Sequence, residues 1–431
     1  MNYIRQIIYE LKNQKMVTWV AISGTALAIF LIMAIFMADR LQSIVMPPES
    51  NRERILKGQG MDVVHDLGSA SGMHLNYDLA KKLYENLDGV DKVSYVTSPW
   101  GAADLNLPNE KTISAEEFKV DDRYWQMYDY KFISGKPFEK EEIEAGQYLA
   151  ILTESTARKL FGETDVAGRQ IDINNIPYTV KGVVEDSYPL LPDGTIEVFT
   201  NFTDFKENND SWMPEFFGAT MVRLLIKEGI DPNYIKLQVE KRYEDMNREL
   251  KESGRSIIYH QQPYTSEELS AGSFGSNNGP NLKVKTRLRA VIYVILLLLP
   301  AINLSSMTRS RLRNRISEIG VRRAFGAKKK SIISQIFTEN LLMTFVGGAI
   351  GLCLSLIFLA LLSGYFIIFN NPNTFDAIAP VSAAPVIWHV FDFSAFFIAF
   401  GACFVLNALS ATLPAWKASG VEPAIAISKA R

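Results

Sequence analysis

Four long apolar runs constrain the fold of this 431-residue chain more than any other feature. They occupy residues 16–38, 290–308, 341–369 and 394–414, and none contains Lys, Arg, Asp or Glu. As a helix, the 23 residues of the first run extend about 34 Å, enough to cross the roughly 30 Å hydrocarbon layer of a membrane. We therefore predict a membrane protein with four transmembrane α-helices, one before and three after the polar segment at 39–289.

The second run is the shortest, with 19 residues, and it contains Pro300 and Asn303. A buried core helix is the alternative interpretation. Arg287, Arg289 and Arg309 flank the run and favour a membrane span, because basic residues concentrate at the ends of spans.

The distribution of Lys and Arg predicts the orientation. Residues 1–15 contain three, residues 309–330 contain nine and the tail at 415–431 contains three, whereas residues 370–393 contain none. Because cytoplasmic loops are enriched in Lys and Arg, we expect both termini and the segment at 309–338 in the cytoplasm. Residues 39–289 and 370–393 are then expected outside an inner membrane.

A cleaved signal peptide is the alternative for the first run, but its length and the absence of an A-x-A site favour a retained anchor.

The outer segment at 39–289 predicts an α+β ectodomain. Leu75, Leu79, Leu83 and Leu87 recur at helical spacing. The stretches "KVSYVTS", "YLAIL", "TIEVFTNF" and "ATMVRLLIK" are typical of strands. We also expect the first span to continue through "DRLQSIV" as a short stalk, because nothing interrupts a helix before Pro47.

Several local signals predict where ectodomain elements begin and end. Thr153 is the expected N-cap of a helix that Gly162 ends. Two strands are expected to meet in a hairpin at Asn174 and Asn175. Pro232 opens an amphipathic helix with a core face, which consists of Ile235, Val239 and Tyr243.

Motifs of known chemistry are lacking in the sequence. No segment matches G-x-x-x-x-G-K-[ST], which grips the phosphates of ATP, and the four histidines form no H-E-x-x-H pattern. Cys353 and Cys403 lie inside predicted spans, so the ectodomain is expected to contain no disulfide. We predict no catalytic residue, no metal and no cofactor.

Within the third predicted span, at 339–369, Gly347 and Gly351 lie four apart on one helix face, with Gly348 beside them. Small residues at this spacing let helices approach closely. We interpret them as packing sites within the chain, and a dimer contact is the alternative. Glu339 is expected to form a structural ion pair with the basic segment rather than a proton relay.

The basic segment also contains an ordered apolar pattern, because Ile319, Val321, Ala324 and Phe325 alternate with polar residues. A loop that only carried charge would not need this pattern. We predict a helix at the membrane surface, pressed against lipid headgroups or a partner protein. Nucleic acid is not an expected partner, because anionic headgroups satisfy a basic run tethered at a membrane.

Residues 315–327 resemble the cytoplasmic signature of MacB/FtsX-type ABC transporter permeases, whose pattern is R-x-x-E-I-G-x-R-x-A-x-G-A. The stretch "QIFTENLLMTFVGGAIG" is similar to that family's third span, and "PAWKASGVEPAIAI" to its ending, although Ile427 stands where Leu is usual. The stretches "VDDRYWQMYDYKFISGKPF", "LAILTESTARKLFG" and "DVAGRQIDINNIPYTVKGVVED" resemble the MacB-type periplasmic core. The resemblance covers essentially the whole chain in the correct order.

The resemblance implies a permease that works with a separate cytoplasmic ABC ATPase and transmits its motion to the ectodomain, for export or extrusion of a substrate. The ATPase is expected on a second chain because only 15 residues precede the first span. The residues that the resemblance assigns to the contact with the ATPase are Arg315, Glu318, Ile319, Gly320, Arg322, Arg323, Gly326 and Ala327.

Further partners follow from the same resemblance. They are a second copy or a second permease in a dimer, a periplasmic membrane-fusion adaptor with an outer-membrane channel, and membrane lipids. Two alternative roles stay open, a regulator of cell-wall hydrolases as in the FtsX branch and a lipoprotein-releasing permease.

Overall fold

The computed structural model describes residues 15–41, 45–65, 68–97, 102–107, 112–187, 195–202, 215–269, 271, 280–314, 319, 321, 324–370 and 391–419. The chain divides into two compact units. One unit contains residues 1–41 and 286–431, and the other contains residues 42–285.

The helices are α1 (Lys15–Leu41), α2 (Tyr77–Tyr84), α3 (Lys140–Glu144), α4 (Glu154–Phe161), α5 (Pro232–Leu250), α6 (Ser266–Leu269), α7 (Leu282–Asn314), α8 (Lys329–Asn370) and α9 (Phe393–Ser419). The first seven strands are β1 (Ile55–Gly58), β2 (Met61–His65), β3 (Gly68–Met73), β4 (Val90–Thr97), β5 (Ala103–Asn106), β6 (Ile113–Ala115) and β7 (Glu117–Val120). The other strands are β8 (Phe132–Gly135), β9 (Leu149–Thr153), β10 (Gln170–Ile173), β11 (Ile176–Val184), β12 (Val198–Asn201), β13 (Met221–Ile226) and β14 (Ser256–Ile258).

The helical unit contains the apolar runs. Among the described residues, Thr18–Met37 and Lys329–Ala360 are long and apolar enough to cross a membrane, and Phe393–Leu409 is a shorter apolar helix. Residues 290–308 lie within α7, but the side chains at 303–308 and at several other positions lie outside the described residues. The four-span count therefore stays a prediction.

The other unit is the predicted α+β ectodomain. Its large mixed sheet has the order β1-β13-β4-β7-β12-β9-β11-β10-β5-β6, with β8 also paired to β11. The pairs β7–β12 and β9–β11 are parallel, and the other pairs are antiparallel. A smaller sheet has the order β14-β2-β3.

Apolar side chains from helix and sheet form the ectodomain core. On α5, Ile235, Val239 and Tyr243 are buried as predicted, and they pack with residues of α2, β4 and β13. Asp231 caps α5, because its Oδ1 accepts a hydrogen bond from the amide of Asn233 at 2.9 Å. The predicted hairpin is confirmed, since Asn174 and Asn175 adopt φ values of 52° and 65° between β10 and β11.

Three local predictions were wrong in part. Leu75 lies in an extended bridge to Phe217 and Thr220, and α2 begins only after Asn76, whose side chain accepts from the amides of Asp78 and Leu79. All four leucines are nevertheless buried in the core.

Thr153 does occupy the N-cap position of α4, but its side chain makes no capping bond. Its hydroxyl lies 2.9 Å from that of Thr156, and the Asp186 carboxylate instead accepts the amide hydrogen of Ser155 at 3.0 Å. Gly162 ends the helix with φ 73° as predicted.

The predicted helical stalk after α1 does not extend to Val45, which is not helical, and residues 42–44 lie outside the described residues.

Asp121 joins two strands and a turn in the core of the ectodomain. It is 4 % exposed, and its carboxylate accepts hydrogen bonds from the Ser94 hydroxyl at 2.6 Å and from the amides of Tyr95 and Tyr124 at 3.0 Å. Burial raises the pKa of Asp121 to about 6, although these hydrogen bonds and Arg123 oppose the shift. The ionised carboxylate is therefore held in the core at a cost in folding free energy.

We predict that the ectodomain gains stability from this residue as the pH falls. Because the folded-state pKa of Asp121 is raised, the stabilisation from its protonation is complete below about pH 4 and is lost as the pH rises through about 6. Between about pH 7.5 and pH 5, the free energy of unfolding of the wild type should rise by about 1 kcal/mol relative to Asp121→Asn. Denaturant unfolding of both proteins at each pH measures this difference. A difference that does not change with pH would contradict the assignment.

Candidate functional site

The basic segment between α7 and α8 is described only in part. Of the eight residues expected to contact an ATPase, Ile319, Gly326 and Ala327 lie within the described residues. Those that lie outside them are Arg315, Glu318, Gly320, Arg322 and Arg323. The geometry of the site is therefore built from Ile319, Val321 and residues 324–330.

Ile319 anchors this segment to α8. It is helical and 9 % exposed, and it packs against Ile332 and Ile336, which lie one turn apart near the start of α8. Burying an aliphatic side chain of this size contributes about 1.5–3 kcal/mol. A displacement of the segment therefore acts directly on the first two turns of α8.

Phe325 projects from the same segment. It is 89 % exposed, and its amide donates to the carbonyl of Val321 at 3.1 Å, as in the last turn of a helix. Gly326 follows with φ 92°, a left-handed conformation that ends helices and favours glycine. The amide of Ser331 donates to the carbonyl of Lys328 at 3.0 Å, where α8 begins.

The apolar residues of the segment do not share one surface as the sequence predicted. Val321, Ala324 and Phe325 are exposed and have the i, i+3, i+4 spacing of one helix face, whereas Ile319 faces α8. Val321 lies two positions after Ile319, and this spacing puts the two side chains on different sides of a helix. Lys328, Lys329 and Lys330, which follow directly in the chain, are also exposed.

Such a surface fits a protein partner. An exposed Phe with apolar neighbours is typical of the buried centre of an interface, and three exposed lysines close by in the chain favour an acidic partner surface. Phe325 was not among the residues predicted to contact the ATPase, although an aromatic side chain directly before a Gly turn is a signal that the sequence contains.

The α8 helix lies against α1 at two glycines. A Cβ atom at Gly347 would lie 3.0 Å from the carbonyl oxygen of Ile22, and one at Gly351 would lie 2.9 Å from that of Ala26. Gly348 faces α9, where a Cβ would meet the ring of Phe400. The three glycines therefore bring α8 into contact with both neighbouring helices of the same chain.

Buried polar side chains add hydrogen bonds to this bundle. Asn407 of α9 donates from Nδ2 to the Thr344 hydroxyl of α8 at 3.1 Å, and both residues are 1 % exposed. This pair was not predicted from the sequence, although an Asn inside an apolar run is a usable signal for an interhelical bond. Glu339 is 5 % exposed and accepts from Gln335 at 3.4 Å. Its ion pair with the basic segment stays a prediction.

An ion pair lies at the C-terminal end of α1. The Arg40 guanidinium is 2.6 Å from the carboxylate of Asp392, directly before α9. A hydrogen bond from Ser394 and the neighbouring Arg40 hold the pKa of Asp392 below its usual value. Exposed pairs of this kind contribute at most about 1 kcal/mol, so the pair joins the end of α1 to the start of α9 but adds little stability.

We predict that Gly351→Ala destabilises the helical unit, because the new methyl group meets the backbone of α1. Overpacking of this kind costs about 1–3 kcal/mol. Gly401→Ala on α9 is the matched control, since a Cβ there meets nothing within 4 Å and Ala favours a helix over Gly. Thermal unfolding of the solubilised chain should show a lower midpoint for Gly351→Ala alone. Equal midpoints for the two variants would show that α1 and α8 are not held together at this glycine.

Comparison with known proteins places this geometry in context. Residues 18–252 match the model of the MacB-like periplasmic core domain, and residues 290–423 match that of the FtsX-like permease C-terminal domain. The basic segment, α8 and α9 thus fall within the second match.

Two curated relatives show the extent of the likeness. The macrolide export ATP-binding/permease protein MacB of Pasteurella multocida is 25% identical over 322 residues, which are 74% of this chain and 44% of MacB. The uncharacterized ABC transporter permease YknZ of Bacillus subtilis is 24% identical over 274 residues, which are 62% of this chain and 63% of YknZ. The matched part of the chain thus spans between about two fifths and two thirds of the length of these relatives.

The periplasmic region of MacB from Actinobacillus actinomycetemcomitans is a similar solved structure. Its TM-score is 0.36 at 14% sequence identity, and the match covers 52% of this chain and 95% of that one.

Proposed function

Because the chain belongs to the MacB/FtsX-type family of ABC transporter permeases, we propose that it is a non-catalytic membrane subunit that receives motion from a separate cytoplasmic ATPase. It converts this motion into conformational change of the ectodomain, for export or extrusion of a substrate. The observation that carries the proposal is the exposed Phe325, on a segment anchored to α8 through Ile319.

The route of the motion follows from the contacts within the helical unit. A partner that binds Phe325 displaces Ile319 and with it the first turns of α8. At Gly347 and Gly351, α8 is too close to the backbone of α1 to move independently of it. Helix α1 in turn leads along the chain into the ectodomain.

The finer assignments complete the proposal. The chain crosses an inner membrane four times, with both termini and the basic segment in the cytoplasm and the ectodomain in the periplasm. Its expected partners are a separate ABC ATPase, a second copy or a second permease, and a membrane-fusion adaptor with an outer-membrane channel. These assignments rest on the Lys and Arg distribution and on the family.

We predict that Phe325→Ala uncouples the ATPase without destabilising the chain. The side chain is 89 % exposed and supports little of the fold, whereas an aromatic anchor at an interface is worth about 2 kcal/mol or more. Recovery of an ABC ATPase with the affinity-captured chain should fall at least about tenfold, while the thermal midpoint stays unchanged. Phe397→Ala, which removes a 64 % exposed Phe of α9, is the matched control and should retain the ATPase.

Undiminished recovery with Phe325→Ala would contradict the assignment of this surface. Ile319→Ala separates the two roles of the segment, because it removes the anchor and should lower both the thermal midpoint and ATPase recovery.

We predict opposite accessibility for the two sides of the membrane. In a chain without Cys353 and Cys403, a single cysteine at Lys328 should react with a membrane-impermeant maleimide only in inside-out vesicles. A cysteine at Glu228, which lies in a turn of the ectodomain, should react only from the periplasmic side. Labelling of both positions from the same side would overturn the proposed topology.

A further inference from the structure

A cavity of about 460 Å³ lies in the ectodomain between α5, β14 and the turn that follows β14. Its volume falls within the range of small-molecule sites. The residues that line it are Glu240, Tyr243, Glu244, Asn247, Ile257, Ile258, Tyr259, His260, Gln261, Tyr264, Glu268 and Pro280. We propose that this cavity binds an organic cation that combines an ammonium group with an apolar or aromatic body. This inference is independent of the proposed function.

The charge of the lining selects a cation. It includes three glutamates and no Lys or Arg. Glu268 is paired with Lys236, whereas no ion pair joins Glu240 or Glu244 to a cation of the described residues. The imidazole of His260 lies 2.8 Å from the carboxylate of Asp62, so its charge, where present, is already balanced.

Two stacked tyrosines form an aromatic surface beside these carboxylates. The rings of Tyr243 and Tyr259 lie 4.7 Å apart at 19°. Burial, a hydrogen bond to Glu240 and the charges of Glu240 and Glu244 raise the pKa of Tyr259, which therefore stays a neutral phenol. A neutral aromatic face next to carboxylates is the arrangement that recognises ammonium groups through cation–π and ionic attraction.

The deeper ring of the stack is held in the core of the ectodomain. Tyr243 is 0 % exposed, and its hydroxyl contacts that of the equally buried Tyr84. The aromatic surface therefore stands on a ring that the fold itself fixes, and Tyr259 lies on its outer side.

The walls of the cavity are held in place by hydrogen bonds. The Asn247 side chain bonds both the carbonyl of Ile257, at 2.9 Å, and its amide, at 2.6 Å, and so fixes β14 to α5. The Tyr264 hydroxyl donates to the carbonyl of His260 at 2.7 Å and fixes the following turn. A cavity formed in advance loses little entropy when a ligand enters.

A metal ion is a poor fit to the same residues. Within the described ranges, no three His, Cys, Asp or Glu side chains converge closely enough to hold a metal. The separated carboxylates and the apolar Ile257 and Ile258 instead suit a larger cation with a hydrophobic body. A bound ligand also reaches Pro280, which lies just before α7.

Binding of benzyltrimethylammonium to the full chain in phosphatidylcholine nanodiscs tests the proposal by calorimetric titration. The zwitterionic lipid avoids attraction of the probe to anionic headgroups. Saturable binding is expected, and benzenesulfonate, an anion of similar size, is expected not to bind. Glu240→Gln combined with Glu244→Gln should weaken binding of the cation about tenfold or more. Glu228→Gln with Glu252→Gln, two exposed glutamates outside the cavity, is the matched control and should leave binding unchanged.

A second pair of variants tests the aromatic surface. Tyr259→Leu should weaken binding about three- to tenfold through loss of the ring face, whereas Tyr259→Phe keeps the ring and should retain most of the affinity. The proposal is overturned by absence of saturable binding at millimolar probe or by equal binding of benzenesulfonate. Unchanged affinity in the double glutamine variant would also overturn it.

Discussion

The close approach of α8 to α1 is the constraint on which the rest of the helical unit depends. In a membrane, apolar side chains gain nothing by leaving lipid for one another, so helices associate through packing and hydrogen bonds. At Gly347 and Gly351 the backbone of α1 occupies the space that a side chain would need. The Thr344–Asn407 hydrogen bond then adds α9 to the same bundle.

Because of this constraint, a displacement of the basic segment can be transmitted to the helical unit. A segment linked to the membrane only by its own chain would transmit little force, because a flexible connection absorbs displacement. Ile319 instead buries its side chain on α8, and α8 is held against α1 only a few turns further along. In the proposed mechanism, the exposed Phe325 offers a surface to the partner and the buried Ile319 passes the displacement to the bundle.

Physical patterns in the sequence predicted the ectodomain where local chemistry decides the structure. The Asn174–Asn175 turn and Pro232 at the start of α5 follow from backbone preferences that few neighbours override. Leu75 departs from its helical spacing because its backbone bonds Thr220, a distant partner that a local pattern cannot reveal. Thr153 occupies the predicted N-cap position, but its side chain makes no capping bond, because Asp186 reaches the amide of Ser155 from beyond β11.

The same limit applies to the candidate site. The family pattern located the segment and the three glycines, but no spacing rule distinguished the Ile319 that is buried from the Phe325 that is exposed. The cavity at Tyr243 and Tyr259 could not be predicted from the sequence either, because Glu240 and Tyr259 meet only after β14 packs on α5. Long-range packing therefore determined what local signals left open.

The most direct measurement replaces Phe325 with a photoreactive benzoylphenylalanine and irradiates native membranes that contain the chain. Mass spectrometry then identifies the crosslinked partner, and the same substitution at Phe397 reports background contacts. The account predicts a crosslink from position 325 to an ABC ATPase and none from position 397. Crosslinks from position 325 to lipid alone, or to a periplasmic protein, would contradict the claim that this segment receives ATPase motion.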